Sequence, residues 1–274
     1  MSHALAVCHG AFGRAALYEL NTPFVTHAHR EGHLIFYVDG SRAIVTVGSA
    51  VIRLGPSDGV AISPWEPHSF KVEDSIEPCL CLVIYIKPMW FFEASQSQQY
   101  TLNFGQPRIR PTEEISQSVR RLIYMLMHQE LAEFADGMLE TTRSCYEQSW
   151  SNSALSRPVV TNQFRCNDYR IRRSLSLMRE CFASDIEING IAREAGLSRP
   201  HFFQLFKKYV GVTPNVYLNT LRSEQAIDDL LRSDKSVTDI GYDLGFSSQA
   251  SFTRFFIANV GIAPSEYRRT AHVY

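Results

Sequence analysis

Between Ile191 and Tyr267 one pattern is written twice: IAREAGLSRPHFFQLFKKYVGVTPNVY runs from Ile191 to Tyr217, and IGYDLGFSSQASFTRFFIANVGIAPSEY from Ile240 to Tyr267. Ala192 matches Gly241 and Gly196 matches Gly245, each 49 residues apart. Phe202/Phe252, Phe206/Phe256, Gly211/Gly261, Pro214/Pro264 and Tyr217/Tyr267 are 50 apart, so one residue has been inserted after the turn. A stretch that repeats its small, turn and core residues at one period folds as two copies of one unit.

Each copy carries the parts of a helix-turn-helix. Ala192 or Gly241 lets two helices approach closely, and Gly196 or Gly245 takes the positive φ that closes the first helix. Ser198, and Ser247 or Ser248, offer N-cap oxygens to the next helix. There Phe202, Leu205, Phe206 and Tyr209, or Phe252, Phe255 and Phe256, recur at helical spacing and bury one face. The other face presents Arg199, His201, Gln204 and Lys207 in the first copy and Gln249, Ser251, Thr253 and Arg254 in the second. Arg pairs with guanine and Gln with adenine, while Ser, Thr and Lys suit phosphates or single acceptors. The alternative is a set of solvated residues on two helices packed for stability.

The 274 residues suffice for two domains, and 45% apolar residues argue against disorder. The net charge of −1 hides an asymmetry, with +3 from Phe164 onward and −4 before it. A mildly basic C-terminal part on an acidic N-terminal part fits a reader of phosphate backbone joined to something else. Six cysteines, Cys8, Cys79, Cys81, Cys145, Cys166 and Cys181, show no zinc spacing, and Cys79 and Cys81 share one face of an apolar strand as buried free thiols. With no signal-peptide pattern and no apolar run of membrane-spanning length, a reduced, cytoplasmic protein without membrane contact is expected.

From Ala15 to about Ile86 the runs AALYEL, HLIFYV, AIVTV, VIRL, VAIS and CLCLVIYI read as short strands of an antiparallel barrel or sandwich. Asp39-Gly40 carries a type I′ hairpin signal. Within this region lie His27, His29, His33 and His68, and His27 and His29, two apart, share one strand face. The stretch resembles the cupin fold: His27, His29, His33 and Gly40 stand at the positions of its H-x-H, Glu and Gly, with His in place of Glu, while Gly59, Pro64 and His68 match part of its second motif. Four imidazoles can hold a first-row metal, or they can line a small-molecule pocket without one. Phe24, Phe36, Trp65 and Phe70 are candidates for an apolar pocket wall at the barrel mouth.

From Pro111 the period becomes helical, with Ile115, Val119, Leu122, Ile123, Leu126, Met127 and Leu131 on one stripe, and Gly137 is expected to end this helix. The stripe either packs on its own barrel or pairs with a second copy of the chain. A further helix covers Leu139 to Trp150, SWSNSALSRP reads as linker, and Tyr169 to Phe182 resumes as helix. Asn215 to Leu231 reads as one long helix spacing the two units. The divisions are therefore 1–110 sensing barrel, 111–150 helical dimerisation region, 151–167 linker and 168–274 DNA-binding domain, an α+β chain with a cupin-like antiparallel β-barrel, a helical extension and an all-α C-terminal domain.

Over about Tyr169 to Arg269, and above all in GF-SSQ-SF-R-F followed by G-AP-EYR, the chain resembles the AraC/XylS family of transcription regulators. The resemblance implies two helix-turn-helix units entering successive major grooves on one DNA face. It also implies a sensing N-terminal domain that often dimerises, and activation through contact with RNA polymerase. By position, base-facing residues are Pro200, Phe203 and Gln204 in the first unit and Gln249, Ala250, Ser251, Thr253 and Arg254 in the second. Pro200, Phe203 and Ala250 make no polar base contact, so readout there rests on thymine methyls or shape, with Arg199, His201 and Lys207 on phosphates. The expected function is a regulator answering to a small-molecule effector, with Phe24, His27, His29, His33, Phe36, Trp65 and His68 around the effector. It is no enzyme and requires no cofactor. The alternative is a metal-dependent cupin enzyme, its metal on His27, His29, His33 or His68, fused to a DNA-binding domain.

Overall fold

The computed structural model describes residues 2–73, 77–95, 102–151, 168–183 and 187–274. Its N-terminal half contains strands β1 (His3–Gly10), β2 (Gly13–Leu20), β3 (Phe24–His27), β4 (Gly32–Gly40), β5 (Ala43–Val47), β6 (Ala50–Leu54), β7 (Gly59–Ile62), β8 (His68–Val72) and β9 (Cys79–Ile86). Helix α1 (Pro88–Ala94), the short strand β10 (Arg108–Ile109), and helices α2 (Glu113–His128) and α3 (Phe134–Ser151) follow. The cupin-like barrel takes the form of two sheets, ordered β10-β7-β4-β9-β2-β1-β11 and β3-β8-β5-β6, where β11 (Ala271–Val273) comes from the far end of the chain.

Strand alternation decides which layer each side chain joins. On β4, Ile35 packs into the core between the sheets, whereas Leu34 and Phe36 pack into a second core beneath α2 and α3. The stripe read at Ile115, Val119, Leu122 and Leu126 is buried in that second core, so it covers the chain's own sheet. Phe36 is thus corrected as a pocket residue: three positions from His33 on a strand, it faces the opposite side.

Two local expectations also change. Asp39-Gly40 does not close a hairpin, because β4 pairs with β7 and β9 while β5 pairs with β6 and β8. Gly40, with φ of 80°, instead carries the chain from one sheet to the other. Gly137 does not end α2, which stops at Gln129 in the left-handed conformation. Gly137 lies inside α3, where a Cβ would stand 3.1 Å from Leu122 Cδ2, so its smallness lets the two helices pack. Strand β1, ahead of the first predicted strand, was not read from the sequence. The expected linker lies outside the described residues except for Ser151, which ends α3.

The C-terminal half contains α4 (Tyr169–Cys181), α5 (Ile188–Glu194), α6 (Arg199–Val210), α7 (Pro214–Arg232), α8 (Val237–Asp243), α9 (Gln249–Val260) and α10 (Pro264–Thr270). The pairs α5–α6 and α8–α9 are the two repeats, with Gly196 and Gly245 at φ of 66° and 80° in the turns. Phe202 and Phe206, and Phe252 and Phe256, are fully buried beneath α6 and α9. Tyr209, read from its spacing as inward, is 37% exposed.

The two repeats meet the barrel differently. The first keeps its own core of Ile171, Met178, Phe202 and Phe206, to which the barrel adds Ala28. The second has no separate core: Phe252, Phe256, Val260 and Tyr267 are continuous with Ile35, Val45 and Phe70 between the sheets. Strand β11 then runs parallel to β1, pairing Val7 with Ala271, Cys8 with His272 and His9 with Val273.

Candidate nucleic-acid interface and interdomain cavity

Burying the phenylalanine stripes turns the opposite faces of α6 and α9 outward. On α6, Arg199, Pro200, His201, Gln204 and Lys207 are exposed and Phe203 is half-buried, with the Arg199 guanidinium 5.5 Å from its ring centre. On α9, Gln249, Ala250 and Arg254 are exposed, and Ser251 and Thr253 are half-buried. Ser248 caps α9 by accepting from the Ser251 amide at 3.2 Å, whereas Ser198 makes no such bond on α6. Ser251 Oγ accepts from Arg254 Nη2 at 3.2 Å, and Gln249 Oε1 accepts from Thr238 Oγ1 of α8 at 2.8 Å. The second face is therefore partly ordered by its own hydrogen bonds. No cationic residue of either face is in a salt bridge among the described residues.

The four histidines converge. His27 at the end of β3 and His68 at the start of β8 are register partners, with ring centroids 4.3 Å apart. His29 lies 4.9 Å from His27, and His33 on β4 lies 4.5 Å from His68. Burial lowers the His27 pKa to about 4. Burial first, and then neighbouring histidines, holds His29, His33 and His68 well below the ordinary imidazole value, so all four are neutral at pH 7.

The space inside the sheets is only about 20 Å³, bounded by His27, His33, His68, Phe24, Phe70 and Tyr85 among others. That is room for about one water molecule. A larger cavity, about 530 Å³, opens between the halves. The barrel gives it His9, Arg14, His29, Arg30, Glu31 and Lys87, and the C-terminal half Glu224, Ile227, Leu231, Arg232 and Val260. Of the ligand residues expected from the sequence, only His29 lines it. Trp65 stacks at 5.1 Å on Tyr217 and belongs to the domain seam. Phe24 lies against Gly261, where a Cβ would stand 2.4 Å from its ring.

Arg14 was missed, although an arginine heading the apolar run AALY of β2 was a visible signal. It is 3% exposed, lies 3.7 Å from the Tyr85 ring centre, donates from Nη1 to Tyr267 at 3.4 Å, and its Nε has no hydrogen-bond partner. Arg30 pairs with Glu224 at 2.8 Å. Burial pushes the Glu224 carboxyl up to about 7 against the pull of Arg30.

Residues 15–144 match a family model described as an AraC-like ligand binding domain, and residues 191–270 one described as a helix-turn-helix domain. An uncharacterized HTH-type transcriptional regulator of Staphylococcus aureus (strain COL) is 33% identical over 112 residues, 41% of this chain but only 15% of that protein. Another, from Haemophilus influenzae (strain ATCC 51907 / DSM 11121 / KW20 / Rd), is 29% identical over 107 residues, 39% of this chain and 36% of that protein. Of solved structures, ToxT from Vibrio cholerae with an unsaturated fatty acid bound shares the fold, with a TM-score of 0.58 at 14% identity, covering 98% of this chain and 95% of that one. ToxT bound to (E)-4-(8-methylnaphthalen-1-yl)but-3-enoic acid gives a TM-score of 0.53 at 14% identity, with 98% of both chains covered. With an AraC-like ligand binding domain matched over residues 15–144 and a helix-turn-helix domain over residues 191–270, the chain has the domain pair of the AraC type of helix-turn-helix transcriptional regulators.

Proposed function

We propose that the chain binds promoter DNA sequence-specifically through α6 and α9 and activates transcription in response to a small anionic effector held in the cavity between its halves. The observation that carries this reading is the position of the cavity. Its walls come from the sensing barrel on one side and from α7 and α9 on the other, so an occupant touches both and biases their arrangement. Arg14, buried with a free Nε, and Lys87 favour a carboxylate or phosphate on the occupant, and Ile227, Leu231 and Val260 an apolar body. The two ToxT ligands, a fatty acid and a butenoic acid, are both carboxylic acids and support that class.

The protein works in the cytoplasm beside its DNA; no helix among the described residues is long and apolar enough to cross a membrane. It contacts RNA polymerase when bound, and it pairs as a homodimer through the outer side of α2, where Tyr124 and Met127 are 52% and 46% exposed. The test is capture of genomic fragments by the full chain, with and without an unsaturated fatty acid. Selective binding that weakens steeply with salt and shifts with the acid is expected. Equal retention of all fragments would end the reading.

A further inference from the structure

We propose that the histidine cluster binds one divalent late first-row transition-metal ion, and that occupancy is transmitted to the DNA-binding half through residues 28–31. The donor atoms of His27, His29 and His68 lie within 4.8 Å of one another, and His33 stands beside them. An all-imidazole set suits zinc, copper, nickel or cobalt, not magnesium or calcium.

The rings are already oriented for this role. His27 Nδ1 lies 2.8 Å from the Val25 carbonyl and His68 Nδ1 2.8 Å from the Glu66 carbonyl. A carbonyl only accepts, so each Nδ1 carries the proton and each Nε2 keeps a bare lone pair. His33 Nδ1 is buried and meets the Glu31 carbonyl without a well-formed hydrogen bond. A buried polar nitrogen is costly unless something satisfies it, and a metal ion satisfies several at once. His29 lines the interdomain cavity while His27, His33 and His68 line the small space between the sheets, so the cluster is reached from the cavity side.

The transmission half rests on the regulator reading and on the bonds of the segment between and after the ligands. The Ala28 carbonyl, flanked by His27 and His29, accepts from Thr220 Oγ1 of α7 at 2.9 Å. The His29 carbonyl accepts from the Trp65 amide at 2.7 Å, and the Trp65 ring stacks on Tyr217 of α7. Arg30 reaches Glu224, also on α7. Two ligands therefore stand one residue from the helix that joins the two repeats, and fixing them fixes its anchor points.

The experiment uses the full chain purified without a metal-affinity tag, stripped with a chelator, and titrated calorimetrically with zinc and with cobalt. One equivalent per chain is expected, with visible cobalt absorption of a nitrogen-ligated site and at least a tenfold loss of affinity in His68→Gln. No stoichiometric uptake, or uptake unchanged in His68→Gln, would overturn the site. Should that variant not fold, X-ray absorption of the zinc-loaded native chain decides, imidazole scattering supporting the site and an oxygen-only shell overturning it. DNA affinity measured on the same samples must change at least threefold with zinc. Metal uptake with unchanged DNA affinity overturns the transmission alone, whereas metal uptake without DNA binding in either state sinks the regulator reading and the transmission with it, and leaves the site standing.

Discussion

His9 Nε2 lies 2.8 Å from the hydroxyl of Tyr267, tying the first strand of the barrel to the last helix of the second repeat. Burial, and then Arg14, Lys87 and Arg232, lower the His9 pKa to about 3. The folded value is below the unfolded one, so the contribution is fully present above about pH 6.5 and is lost as pH falls toward 3. Between pH 7 and pH 5 the native chain loses stability of order 1 kcal/mol more than His9→Gln, which keeps a hydrogen-bonding side chain but does not titrate. Urea unfolding at both pH values checks this, and parallel pH profiles for the two proteins would refute it.

Gly261→Ala and Gly196→Ala separate backbone strain from domain contact. Both positions have positive φ, 98° and 66°, but an added Cβ meets the Phe24 ring at 2.4 Å in the first and nothing within 4 Å in the second. The strain costs about 1–2 kcal/mol at each, and the clash at Gly261 adds about 1–3 kcal/mol. Thermal unfolding should rank Gly261→Ala clearly below Gly196→Ala.

Arg254→Ala is expected to cost about 1–3 kcal/mol of DNA affinity, concentrated at one base position of the site. Lys207→Ala, by contrast, should weaken all sequences alike and reduce the salt slope by about 1. Fluorescence anisotropy on a site and its single-base variants distinguishes the two patterns. Their separation depends on Arg254 leaving its 3.2 Å bond to Ser251 for a base edge.

Phe36→Ala should destabilise the chain by about 3–5 kcal/mol through loss of packing beneath α2 and α3. Binding of a carboxylic-acid effector by the folded variant should be unchanged. Calorimetry below the unfolding transition tests the second point, and a lost binding heat would return Phe36 to the ligand site.

The repeats were legible because their glycines and phenylalanines obey local rules, a positive φ in the turn and helical spacing in the core. His27 and His29 were grouped by two-residue spacing, although β3 ends at His27; His68 joins them through its pairing with His27, and His33 by facing His68 from the other sheet, which spacing alone does not give. Phe36 was misplaced because the same alternation that turns His33 inward turns it outward. Trp65, at φ of 64° in a turn, follows no periodicity that would aim its ring. The cavity was not legible at all. It is held by contacts such as Ala28 with Thr220 and His9 with Tyr267, separated by 192 and 258 residues, and no window of sequence contains both partners.

The parallel pairing of β11 with β1 has a consequence for making the protein. Until the second repeat has left the ribosome, β1 presents an open row of amide and carbonyl groups, the kind of border that recruits stray chains. A sensing domain expressed by itself inherits that exposed border permanently, and its tendency to self-associate would report a missing neighbour rather than a natural dimer.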